Sequence, residues 1–184
     1  MFKTLGVKSV SMDDIAKELS ISKKTIYQHY KDKKELVNEA FGHDLELDKR
    51  ACMETCEQTE NAIQQFLNIS SFISNNLKDM NPAVLYDLRK YYPECSNRFD
   101  NFTKEVVYEF MLNNIVIGIE QGLYRKDLHP EFASTIYISL VREFTTMGLN
   151  QLGLKLQNLH KEMITYHLYA ICTTKGINYF KKHL

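Results

Sequence analysis

The chain has 184 residues, with 23 basic and 23 acidic side chains and a formal net charge of zero. That length can bury a core as one or two small domains, and no apolar run is long enough to span a bilayer, which argues against a membrane partner. Zero net charge excludes a protein coated in basic residues, so any affinity for nucleic acid has to come from a local patch.

The first 41 residues carry the sharpest signals. Ser11 is placed to cap a helix with Ile15, Ala16 and Leu19 on one face, and Ser22 to cap a second whose Ile26 and Tyr30, four apart, pack back on the first. Two short helices around a tight turn predict a helix-turn-helix. The outward face of the second helix is left with Lys23, Lys24, Thr25, Tyr27, Gln28 and His29, which are donors, acceptors and flat rings. From Ser22 to Lys34 there are five lysines against the single acid Asp32. Lys23 and Lys24 open one helix and Lys33 and Lys34 the next, where the macrodipole disfavours a cation by roughly 0.3 to 1 kcal/mol. Asp32 and Glu35 already supply a capping-box pattern, so the lysines are not needed to start that helix. An outside anion docking at both helix starts would remove the tension, and DNA phosphate suits; four solvated surface lysines would also satisfy the pattern.

Downstream the chain reads as helices punctuated by Pro and Gly. A long helix is expected from Lys33 to near Glu57, about 37 Å, with Gly42 as its soft point. Asn61 to Met80 follows, then a short helix opened by Pro82 and closed before Pro93. A strongly apolar helix is expected from Arg98 to Gly122, a connector from Tyr124 to Glu131, a helix from Pro130 to Gly148, and a last one from about Leu159 to Phe180. Neither strand alternation nor an internal repeat is present, so the fold class is all-α.

Gly6, Ser11-Met12, Ile15-Ala16, Leu19, Ser22, Tyr27, His29-Tyr30, Lys33 and Leu36, in that order, resemble the DNA-binding domain of the tetracycline-repressor (TetR) family of bacterial transcriptional regulators. Two departures stand out. The turn usually carries Gly where Ser20 stands here, at a cost of up to about 1 kcal/mol if the backbone there is left-handed. A full helix also precedes Gly6 in the family, whereas Met1 to Leu5 leave room for a truncated one, so residues are expected to precede Met1 in the native protein. The resemblance implies a three-helix DNA-binding domain over residues 1–41 and a helical ligand-binding and dimerisation domain over 42–184. It further implies that the last two long helices, about 130–148 and 159–180, pair in a homodimer. Phe132, Ile136, Leu140 and Phe144, flanked by Tyr137 and Val141, and then Ile164, Leu168, Ile171 and Cys172, form the apolar stripes available for that pairing.

Candidate sites follow. Lys24, Tyr27 and Gln28 are placed for base edges in the major groove, and Ser11, Ser22, Lys23, Thr25, His29 and Lys33 for phosphate or the helix starts that meet it. An effector cavity is expected among the helices from Asn61 to Gly122, with Phe66, Phe72, Tyr86, Tyr91, Phe102, Phe110, Asn113 and Asn114 as ligand contacts; aromatic walls suit a lipophilic molecule. One of the two asparagines should face inward and need a partner, either a ligand or the core itself. Cys52, Cys56, Cys95 and Cys172 show no CxxC pair; Cys52 and Cys56 share a helix face, which permits a thiol sensor or half a metal site, though a small buried hydrophobe fits each. His160 and His167 stand two helical turns apart, too far to chelate one ion. No metal, cofactor or catalytic constellation is expected. The chain is read as a cytoplasmic, ligand-responsive repressor of transcription that binds a pseudopalindromic operator as a homodimer, is released by a small lipophilic effector and performs no catalysis. An all-helical enzyme and an interaction module without DNA binding are the alternatives from other classes.

Overall fold

Short polar residues set where the helices begin. The computed structural model describes residues 1–59, 61–146 and 155–183, without the side chains of residues 56–58 and 145–146. After a short α1 (Phe2–Leu5), Ser11 caps α2 (Met12–Glu18) by accepting from the Asp14 amide at 3.1 Å, while the Asp14 carboxylate accepts from the Ser11 amide at 2.8 Å, a reciprocal capping box. Ser22 caps α3 (Lys23–His29) through the Thr25 amide at 3.0 Å, and Asp32 caps α4 (Lys33–Gln58) through the Glu35 amide at 3.0 Å. Glu35 reaches back to the Lys31 amide rather than to Asp32, so that end is closed one residue earlier than the expected box.

Val10, Met12, Ile15, Ala16 and Ile26 form the small core of α2 and α3, sealed by Phe2, Tyr30 and Leu36. Leu19 departs from the expected stripe. It is 59% exposed, because α2 ends at Glu18 and no neighbouring element covers the turn that follows. In that turn Ser20 has φ 55°, so the left-handed condition under which a serine is costlier than glycine is met. The head is tied to the body by Asn81 N donating to the Lys3 carbonyl at 2.8 Å, by Lys8 N donating to the Asp87 carboxylate at 2.8 Å, and by the Lys3–Asp44 ion pair at 3.0 Å.

The long α4 is unbroken at Gly42, where the Arg98 guanidinium occupies the space a Cβ would need. The body adds α5 (Ala62–Leu77), α6 (Ala83–Tyr91), α7 (Pro93–Phe102), a π-helical turn at Thr103–Val107, α8 (Tyr108–Glu120), α9 (Pro130–Thr146), α10 (Leu156–Ile171) and α11 (Thr174–Lys182). Every regular element among the described residues is helical, in keeping with the all-α expectation. Phe66, Met111, Ile115, Tyr124, Leu168 and Phe180 anchor the main core, each at most 1% exposed.

Two expected helices are divided. The one from Arg98 to Gly122 starts at Pro93 and passes through the π-helical turn, where Thr103 Oγ1 donates to the Phe99 carbonyl at 2.8 Å and competes with the regular backbone ladder. The last one breaks at Cys172 and Thr173. There the chain leaves helical geometry to pair with the connector: Arg125 N donates to the Ile171 carbonyl and Thr173 N to the Leu123 carbonyl, both at 2.9 Å. Thr173 then caps α11 through the Gly176 amide. These pairings span about fifty residues of sequence, which helical periodicity cannot register. The expected end of α9 at Gly148 lies outside the described residues.

Candidate DNA-reading surface and effector cavity

The nine residues singled out for DNA all lie on the helix-turn-helix head, but their side chains are not equally available. Lys24, Tyr27, Gln28 and His29 are exposed on α3, with Ile26 turned inward as their anchor. Lys23 is drawn to Asp13 at 2.8 Å, a bond that raises its pKa and stitches α3 to α2. Ser11, Ser22 and Thr25 serve the helix starts, Ser22 and Thr25 sharing a hydroxyl contact at 2.8 Å. Lys33 differs most from the expectation of a solvent-facing phosphate ligand. Its ammonium donates to the Val7 carbonyl at 2.5 Å and the Lys8 carbonyl at 3.5 Å and sits over the Phe2 ring, and desolvation by burial lowers its pKa. It pins the α1–α2 connector to α4, a role read from the fold and not from the sequence.

Beneath the head lies a cavity of about 550 Å³. It is bounded by the inner face of α4, where Val37, Phe41, Leu45 and Asp48 follow one another at helical spacing, and by α5, α6 and α7. Tyr137 and Phe144 from α9 and His160 and Met163 from α10 close it. The expected location was among the helices from Asn61 to Gly122, and of the eight expected ligand contacts Phe102 alone lines this space. Phe66 and Phe110 are core, and Phe72 packs against that core. Tyr86 and Tyr91 lie on the outer surface of α6 under Lys90. Asn113 is exposed, and Asn114 is the satisfied core amide. Its Nδ2 donates to the Ala62 carbonyl at 2.7 Å and its Oδ1 accepts from the Tyr124 hydroxyl at 2.9 Å. Aromaticity selects both core and cavity walls, so composition could not separate them. Asp48 was missed although a signal existed: it continues the Val37–Phe41–Leu45 stripe, putting a carboxylate on a buried helix face.

Burial sets the electrostatics here. Desolvation pushes the Asp48 carboxyl up to about 6, with Asp44 adding repulsion and Lys3 relieving part of it. Desolvation also pushes the His160 and His167 imidazoles down to about 4, and His160 Nδ1 and His167 Nε2 have no hydrogen-bond partner. Cys95, on the cavity wall, donates to Asn38 Oδ1 at 2.8 Å and its thiol is pushed up to about 11, chiefly by burial; Cys172 is pushed up to about 12 for the same reason. Both are thiols without thiolate character. The Cys56 side chain lies outside the described residues. Among the described residues no three His, Cys, Asp or Glu side chains could share a metal ion, and no helix is long and apolar enough to cross a membrane.

The apolar stripes on the last two long helices are also redistributed. Ile164, Leu168, Ile171 and Cys172 are 5% exposed or less and face the core of their own protomer, while Tyr137, Val141 and Phe144 border the cavity. Of the expected stripes Phe132 and Ile136 are left exposed, Phe132 at 67%, and on α10 the large exposed side chains are Tyr166, at 70%, and Tyr169, which the stripes did not include.

The sequence profile of bacterial regulatory proteins of the tetR family matches residues 1–40, the span that holds α1 through the start of α4. Over those residues the chain is similar to the DNA-binding segment of that family. An HTH-type transcriptional regulator of Staphylococcus aureus (strain USA300) is 43% identical over 47 residues, and the match covers 26% of this chain and 25% of that relative. The body is similar at the level of fold. Reduced NemR of Escherichia coli superposes with a TM-score of 0.72 at 10% identity, covering 94% of this chain and 91% of that one. A TetR-family transcriptional regulator from Agrobacterium tumefaciens gives 0.71 at 13% identity, covering 91% and 90%. The head is therefore matched in sequence, and the helical body in architecture alone.

Proposed function

We propose that this chain is a ligand-responsive transcriptional repressor of the TetR family that binds a pseudopalindromic operator as a homodimer and is released by a small, largely apolar effector. The observation that carries the reading is the outward face of α3. Lys24, Tyr27, Gln28 and His29 stand exposed on a seven-residue helix whose inward anchor Ile26 is only 4% exposed, so the polar face is presented by a rigid support. Lys24 suits guanine and Gln28 adenine, and the Tyr27 ring edge suits a thymine methyl. Ser11, Ser22, Thr25 and His29 surround them at or near helix starts, where phosphate oxygens are favoured. Lys23 can exchange Asp13 for a phosphate, since both partners of that pair are exposed.

The cavity supports the switching part of the reading. It borders the inner face of α4, the same helix whose first turn is held to the head through Lys33 and Val7. A molecule that fits one position of α4 better than another would bias where the two heads sit, which is all an effector can do to an equilibrium. Phe132, Ile136 and Tyr166 supply the apolar area for pairing two copies, and a two-fold pair of heads suits a palindromic site.

Random-site selection with the full chain, followed by a salt titration on the selected duplex, tests the reading. The expected result is a two-fold symmetric consensus and an affinity that falls steeply with salt. Gln28→Ala should cost about 1 to 3 kcal/mol on that duplex and relax one base pair per half-site. Retention of no sequence at all by the folded protein would remove DNA binding from the assignment and favour the interaction module.

A further inference from the structure

The charge inside the cavity is not balanced. Asp44 is neutralised by Lys3 at 3.0 Å, and Arg89 lies on the exposed surface of α6 at the rim. Asp48 is half-buried on the wall, and the polar contact it makes among the described residues is Asn76 Nδ2 at a long 3.5 Å, with no cation in pairing range. Sharing the cavity's lining with this carboxylate are the aromatic side chains Phe41, Phe102 and Phe144 and the His160 imidazole, 4% exposed and with an unpartnered ring nitrogen. Burial keeps that imidazole uncharged, so it cannot serve as the missing cation. A carboxylate partly withdrawn from water, with one long hydrogen bond and no ion-pair partner, is costly, and a positive charge brought in by a ligand converts that cost into attraction. A metal ion does not meet the need, because no third ligating side chain joins Asp44 and Asp48 among the described residues.

We propose that the cavity takes an organic ammonium ion with an apolar body, held by Asp48 as its counter-charge and by the ring faces of the surrounding phenylalanines. Aromatic faces attract alkylammonium groups, most strongly where water is excluded. A carboxylate of the same length meets repulsion from Asp48, and a neutral alcohol gains the apolar burial alone. Because Asp48 stands on α4, the charged end of such a ligand engages the helix that leads to the reading head. The inference deepens the proposed function and rests on its assignment of this cavity as the effector site.

The test is calorimetric titration of the full chain, without DNA, using decyltrimethylammonium, decanoate and decanol well below micelle formation. The ammonium should bind most tightly and the carboxylate most weakly. Asp48→Asn should weaken the ammonium by about tenfold or more and leave decanol unchanged, which also shows that the cavity is intact. Equal or tighter binding of decanoate, or full ammonium affinity in Asp48→Asn, overturns the proposal. A parallel operator-displacement assay separates the two levels of inference. Ammonium binding that depends on Asp48 but leaves DNA bound upholds the ligand class and refutes the switch. Displacement by decanol or decanoate, with no binding of the ammonium, refutes the ligand class and upholds the switch.

Discussion

Acid should destabilise this protein through two histidines that no surface reading would single out. His160 and His167 are 4% and 3% exposed, and burial holds both near 4, against an ordinary value of about 6.5. Below pH 6.5 the unfolded chain binds protons that the folded chain refuses, so stability falls as pH drops from about 6.5 to 4 and is fully present above that window. Linkage gives about 2 kcal/mol lost per histidine at pH 5, rising toward about 3 kcal/mol below pH 4. Asp48 acts in the opposite direction. Its folded value is raised to about 6, so it disfavours folding at neutral pH and gives back about 1 kcal/mol by pH 5 as it takes up a proton. The net expectation is a loss of about 3 kcal/mol between pH 7.5 and pH 5. Urea unfolding followed by far-ultraviolet circular dichroism, at fixed protein concentration, measures it. The double variant His160→Leu, His167→Leu keeps similar volume and should flatten the acid limb, while Asp48→Asn should steepen it. An unchanged acid slope in the double variant would show that the two imidazoles are not the cause.

Other perturbations separate roles that the fold assigns. Ser20→Gly relieves the left-handed backbone at φ 55° and should stabilise the head by up to about 1 kcal/mol, read as a higher urea midpoint with unchanged slope. Gly118→Ala places a methyl group into the Tyr124 ring, which is fully buried, and should cost at least about 3 kcal/mol or prevent folding, as thermal unfolding will show. Lys33→Ala removes the tie between α4 and the Val7 carbonyl, so it should lower head stability, with hydrogen exchange of the α1–α2 segment as the measurement. A Lys33→Ala protein with native exchange but a salt slope for DNA shallower by about 1 per head would instead return Lys33 to the phosphate contacts. For assembly, Phe132→Glu or Tyr166→Glu should shift a sedimentation profile from dimer to monomer, whereas Leu168→Glu, buried in its own protomer, should unfold the chain.

Most helix starts were legible in the residues because their causes are local. Ser11, Ser22 and Asp32 each cap a helix through an amide three residues on, and Pro82 and Pro130 mark starts for the same short-range reason. The polar face of α3 was legible too, because seven residues with one inward anchor leave few choices. What periodicity specifies is which residues share a face; it does not say what covers that face. Leu168 and Phe132 both belong to apolar stripes, yet one is enclosed and the other open, and only the packing of α5, α8 and α10 decides it. Phe102 and Phe110 are alike in type and eight residues apart, yet one borders the cavity and the other the core. Lys33 is drawn inward by a carbonyl 26 residues away, and the break at Cys172 answers to a connector about fifty residues earlier. Such long-range pairings, and the cavity enclosed by side chains from α4 to α7, α9 and α10, exist only once the chain has closed on itself.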